Sequence, residues 1–386
     1  MQYRYLYIDD IRADDTEQSI DTPKSLARGL SVDGIEIEYR HVFEFENDNF
    51  IKLNLSNYDG LLLDLRLDEY KDANGKHSEF TATEFAQHIR TLVTKKELEK
   101  DLPIVLFSTD DKLQQVYATD LSSHNLFDRY LTKVDTPDNA SKKLYSLAKG
   151  YKTIDNLKLS YLLDDGQFDM DNFKQTYIPR LINLENLFDL DSRVFSRFSE
   201  NGERIPAHEY AQVILKDLIY VTGSLINEDI LAARLGIDKN NSNDWEKVKE
   251  FFEPSKYKGV FSDGWNRWWM FEIDNLFEST TGTYLSYLDA SQRVEVLNEK
   301  LGLSELVVAE PITLNTSTRY TTICKAFERP LDEMEGFRVY SSKEPKQWQE
   351  YEYASLEAFA VGKVDEKKIK VHVDDRDRLL EALEEL

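Results

Sequence analysis

Along the first 135 residues, short apolar runs break off at polar or charged residues. Tyr5-Leu6-Tyr7-Ile8 runs into Asp9-Asp10, Tyr58-Asp59-Gly60-Leu61-Leu62-Leu63 into Asp64, Ile104-Val105-Leu106-Phe107 into Ser108, and Tyr130-Leu131-Thr132 into Lys133. Apolar runs of four to eight residues between turn formers read as strands buried on both faces, the pattern of a parallel sheet. Ile35-Glu36-Ile37-Glu38-Tyr39, after Gly34, alternates and predicts a more exposed strand.

Helical signals fall between the strands. Thr22-Pro23 caps a short helix with Leu26, Ala27 and Leu30 inward. A short helix is expected around Phe50-Ile51, and Thr81-Ala82-Thr83-Glu84 fits a capping box ahead of the stripe Phe85, Ile89, Leu92, Val93. Leu113, Val116 and Tyr117 mark another helix. Thr136-Pro137 caps the last, with Ala140, Leu144, Leu147 and Ala148 on one face and Lys149-Gly150 as its stop. Parallel neighbours need crossover helices, so five strands alternating with five helices predict a doubly wound α/β domain over residues 1–150.

The remainder reads as mainly helical with some strand: a connector over 151–205 and a domain over 206–386. Phe173 to Phe198 is helical in pattern, and Pro206 opens an apolar helix through Val213, Ile214, Leu218 and Val221. Phe261, Trp265, Trp268, Trp269, Ile273 and Leu276 recur at helical spacings, an aromatic stripe of core type. Val371-His372-Val373-Asp374-Asp375 predicts a strand followed by a helix over Arg376 to Leu386.

Composition narrows the function. The formal charge is -24 and both halves are acidic, which argues against a nucleic-acid partner because such binding draws on Lys and Arg. Asn227 to Ile237 has the look of the first helix of a helix-turn-helix, but Asp238 to Glu250 is too acidic for a recognition helix. A single cysteine, Cys324, excludes an intramolecular disulfide, and with no membrane-length apolar run and no signal-like start the expected setting is cytoplasmic. His208-Glu209 lacks the second histidine of a zinc-protease helix, and no phosphate-binding glycine loop occurs.

In a parallel sheet the strand ends gather at one edge, where such folds bind ligands. Asp9, Asp10, Asp64, Ser108 and Lys133 would then share one site, and clustered carboxylates call for a cation, with Mg²⁺ preferring hard oxygens. In this order and placement, residues 1–150 resemble a response-regulator receiver domain. The resemblance implies a flavodoxin-like sheet of order 2-1-3-4-5, phosphorylation on Asp64, and Mg²⁺ held by Asp10, Asp64 and the Arg66 carbonyl with Asp9 acting mainly through water. It further implies Ser108 and Lys133 as phosphoryl ligands, and Ser108 with Tyr130 as the switch. The implied partners are a sensor histidine kinase or phosphotransfer protein as donor, a protein bound by the C-terminal domain, and a second copy through the receiver. Val134 replaces the usual proline after the lysine, and Arg66 with Asp110 is a candidate pair shielding the phosphate. Three other readings stay open: a pseudo-receiver scaffold that is not phosphorylated, an enzyme in the C-terminal region, and transcriptional output.

Overall fold

The computed structural model describes residues 2–11, 22–32, 34–45, 51, 54–71, 75–109, 125–134, 137–185, 187–198, 202–341, 343–365 and 368–386. The expected helix at Leu113, Val116 and Tyr117, the cap at Thr136 and the pairing of Asp110 lie outside these residues.

Five strands, β1 (Tyr3–Asp9), β2 (Ile35–His41), β3 (Gly60–Leu63), β4 (Ile104–Ser108) and β5 (Arg129–Thr132), form one parallel sheet of order β2-β1-β3-β4-β5. The inner strands β3 and β4 are buried throughout, whereas β2 alternates, as its Ile/Glu pattern requires. Helix α1 (Pro23–Leu30) starts at Thr22, whose side chain accepts from the Ser25 amide, and α2 (Ala82–Thr94) starts with the Thr81/Glu84 capping box. Phe85, Ile89, Leu92 and Val93 of α2 pack on Leu61, Leu63, Ile104 and Leu106 in one apolar core.

Helix α3 (Pro137–Leu159) corrects an expectation: it does not stop at Gly150. A Cβ there would stand 2.1 Å from the Phe261 ring, so the glycine serves close packing and not a helix end. Phe261 itself has φ 72°, outside any helix, and its carbonyl accepts from Ser146 Oγ at 2.8 Å. The aromatic stripe is therefore not one helix. Phe261 and Trp265 lie on a loop, Trp268–Trp269 is a two-residue strand paired with Leu225–Ile226, and only Met270–Thr281 is helical.

The chain divides into two compact units, one of residues 1–187, 195–215 and 258–265, the other of 188–194, 216–257 and 266–386. These units cross the expected boundaries at 150 and 205, because α3 runs unbroken past 150 and later segments return to pack with it. The first unit also holds a helix over Met170–Ile182, ended by left-handed Asn183, so the helical reading to Phe198 was too long. Pro206 does open a helix, Ala207–Val213, which passes into a π-helical turn at Ile214–Ile219.

The second unit is mainly helical with short strands. Helices Glu228–Leu235, Trp245–Phe251, Met270–Thr281 and Ala290–Leu301 share one apolar core. A three-stranded antiparallel sheet, with Gly336–Tyr340 between Glu352–Ser355 and Lys370–Val371, packs Phe337 and Val339 near Leu379 of the terminal helix Arg376–Glu384. Among the described residues no helix is long and apolar enough to cross a membrane.

Candidate functional site

The sheet register sets the site. Ile8 pairs with Leu63, Leu63 with Leu106, and Ser108 with Thr132, so the residues that follow these positions emerge at one edge. Asp9, Asp10 and Asp64 are all buried there. The Lys133 ammonium bridges two of them, 2.6 Å from Asp64 Oδ1 and 3.2 Å from Asp9 Oδ2.

Each carboxylate has its own set of donors. Asp9 Oδ1 accepts from the Ile11 amide at 2.9 Å, and Oδ2 from the Tyr7 hydroxyl at 2.5 Å in addition to Lys133. Asp64 Oδ2 accepts from the Arg66 amide at 2.9 Å. Asp10 Oδ2 accepts from the Tyr70 amide at 2.7 Å, while its backbone carbonyl meets His41 Nε2 at 2.9 Å.

Three carboxylates against one ammonium leave surplus negative charge. Asp10 is pushed up to about 6 by burial, with Asp9 and Asp64 adding to the shift and the Tyr70 amide opposing it. Burial also raises Asp64; Lys133 opposes and Asp9 reinforces that shift. Burial works against the Lys133 charge, but Asp64 and Asp9 outweigh it and hold the ammonium above its ordinary value.

Ser108 is fully buried, and its Oγ has no hydrogen-bond partner among the described residues. Such a hydroxyl at a charged edge is a feature to explain, since buried polar groups are normally paired. Tyr130 is half-exposed on β5, beside the Arg129 guanidinium. The Arg66 side chain pairs with Asp68 at 3.0 Å.

The donor chemistry fits Mg²⁺. Asp10 and Asp64 retain oxygen lone pairs, the residual charge is negative, and this ion needs only one or two carboxylates. Among the described residues no group of three or more His, Cys, Asp or Glu is arranged to hold a metal, and Asp9, whose two oxygens take Ile11, Tyr7 and Lys133 where those of Asp64 take Arg66 and Lys133, is the more heavily engaged of the two.

Sequence reasoning missed Tyr7. Alternation along β1 puts Tyr3, Tyr5, Tyr7 and Asp9 on one face, and that spacing was the available signal. It also missed the opposite edge of the sheet, where Arg90 of α2 bonds Asp101 and Asp128 at 2.9 Å each. His208, set aside as half a zinc motif, donates there to Asp101 from its backbone amide at 2.7 Å and from Nδ1 at 2.8 Å.

Sheet order and edge chemistry together define a receiver-like α/β unit. No family model matches the chain, and no curated protein does. Among solved structures it is similar to a RitR mutant at 16% identity and TM-score 0.27, over 40% of this chain and 55% of that one. It is likewise similar to a structure described as a novel family of redox sensors in the streptococci evolved from two-component response regulators. That match has 13% identity and TM-score 0.27, over 58% of this chain and 95% of that one. The chain thus spans little more than half the length of the first of these, and the description of the fold rests on the sheet itself.

Proposed function

We propose that the first unit is a phosphate-accepting receiver in which Asp64 takes a phosphoryl group from a phosphohistidine or small acyl-phosphate donor. The observation that supports this is the pairing of Lys133 with Asp64 at 2.6 Å, at the sheet edge where β4 ends in Ser108, whose buried hydroxyl has no partner among the described residues. An Asp64 carboxylate oxygen attacks phosphorus and the donor's bond to phosphorus breaks, leaving an aspartyl phosphate. The Lys133 ammonium and Ser108 hydroxyl receive the phosphoryl oxygens, the positioning and charge that this transfer mainly requires. Mg²⁺, held by Asp10 and Asp64, supplies when bound the remaining positive charge for those oxygens. The donor protein is a sensor histidine kinase or phosphotransfer protein, Ser108 and Tyr130 carry the switch, and the second unit binds a protein partner.

Incubating the full chain with Mg²⁺ and a small acyl phosphate tests this directly. Intact mass should rise by one phosphoryl group, and the increment should vanish in Asp64→Ala.

A pseudo-receiver scaffold is the second reading, favoured by the engagement of both Asp64 oxygens, one by the Arg66 amide and one by Lys133. It expects no mass increment at any donor concentration. Transcriptional output gains nothing from Arg234, whose guanidinium is tied to the Thr321 carbonyl and to Glu350. An open cleft of about 480 Å³ in the second unit has Asp229 and Lys239 in its lining, and these two pair with each other at 2.5 Å.

A further inference from the structure

Asp9 differs from the other two acids in that a buried phenol holds it. Tyr7 and Asp9 lie two residues apart on β1, so both side chains leave the same face of the sheet. Both are fully buried, and the Tyr7 hydroxyl donates to Asp9 Oδ2 at 2.5 Å. Burial and then the Asp9 charge raise the Tyr7 phenol well above its ordinary value, which keeps it a donor.

The Tyr7 ring is wedged edge-on between Phe107, 5.4 Å away, and Tyr39, 6.0 Å away. Phe107 in turn faces the Lys133 ammonium at 5.9 Å. Asp9 Oδ2 thus lies between a fixed phenol and a long flexible amine. Of its two oxygens, the one held by Tyr7 is the one that meets Lys133 at 3.2 Å.

We propose that Tyr7 is a positioning residue: through Asp9 it fixes where the Lys133 ammonium stands beside Asp64. A lysine has four rotatable side-chain bonds and gives a point charge without fixed direction, so a bracket that removes that freedom prepares the site for an anion. The kinetic consequence rests on the phosphoacceptor reading above. The ordering of Lys133 does not.

The test uses the full chain and the variants Tyr7→Phe, Lys133→Ala and their combination, with Mg²⁺ saturating. In Tyr7→Phe the acyl-phosphate concentration giving half-maximal phosphorylation should rise about fivefold or more. In the Lys133→Ala background the same change should add nothing, because Tyr7 acts through that amine. A second readout needs no phosphorylation: the nitrogen-15 signal of the Lys133 ammonium, assigned by its loss in Lys133→Arg, should be sharp in the wild type and broadened in Tyr7→Phe. If Tyr7→Phe does not fold, Asp9→Asn cuts the same link and should give the same broadening.

An unchanged signal together with unchanged donor dependence overturns the proposal. So does equal loss in the Lys133→Ala background, or a wild type whose Lys133 signal is already broad. Should the wild type accept no phosphoryl group, the functional reading falls, and the positioning role then stands or falls on the ammonium signal alone.

Discussion

The two edges of the five-stranded sheet use similar groups for opposite ends. At the amino edge Arg90, 5% exposed, bonds Asp101 and Asp128, and the rest of the donor set closes around them. The Tyr151 hydroxyl and the Ile104 amide donate to Asp128, and the Leu102 amide and His208 donate to Asp101. Although burial alone would raise Asp101, His208 and Arg90 hold it below its ordinary value. At the carboxyl edge Asp9 and Asp64 share Lys133, 18% exposed, Asp10 has no ion pair with it, and Asp10 and Asp64 are shifted upward instead. Among the described residues each edge leaves one buried polar atom unpaired, Arg90 Nε at the amino edge and the Ser108 hydroxyl at the carboxyl edge, but the amino edge sets two carboxylates against Arg90 where the carboxyl edge sets three against Lys133. Charge balance, more than charge number, separates a structural cluster from a reactive one.

The largest effect should come from opening the closed edge. Arg90→Ala strands two buried carboxylates and should cost about 3–5 kcal/mol in urea unfolding. A cost under about 1 kcal/mol would mean that the amino edge is not the tightly bonded cluster described.

At the carboxyl edge the corresponding loss should be smaller. Lys133→Ala should cost about 1–2 kcal/mol without metal, since its amine is partly solvated and its partners are also bonded by backbone amides. Equal costs at both edges would erase the contrast.

The sharper test is one of sign. Asp10→Asn removes surplus negative charge and should stabilise the metal-free chain by about 1 kcal/mol at pH 7, while abolishing any stabilisation by Mg²⁺. Asp101→Asn, the same chemical change at the other edge, should destabilise. Matching signs would refute the assignment of one cluster as closed and the other as open.

The sequence discloses these edges unequally. The carboxyl edge is legible because each member ends an apolar run, so strand prediction places it. The amino edge is not, because Arg90 sits in the middle of an amphipathic helix and Asp101 and His208 are separated by more than a hundred residues; only tertiary packing brings them together. Gly150 misleads for a related reason. Lysine followed by glycine is the local signature of a helix end, but the close approach of Phe261, distant in the chain, is what calls for the missing Cβ. Phe261 and its aromatic neighbours keep a helical spacing without a helix, since periodicity reports burial and a loop with φ 72° can bury rings equally well.

Asp155 offers the finest probe of the amino edge. It lies on α3, half-buried, and its carboxyl is pushed up from 3.8 to about 6 by burial first and by Asp101 second, with Lys158 and Lys100 pulling the other way. A carboxyl raised in the folded state is unpenalised below the unfolded value, where it is neutral in both states. The chain then loses stability as pH rises from about 4 through about 6. Asp155→Asn is neutral throughout, so its advantage over the wild type should be near zero at about pH 3 and grow to about 1–2 kcal/mol at about pH 7.5, read from urea midpoints at the two values. If the two proteins keep a constant difference across that range, the Asp155 carboxyl is not raised in the folded chain, and neither its burial nor the neighbouring Asp101 acts on it as described.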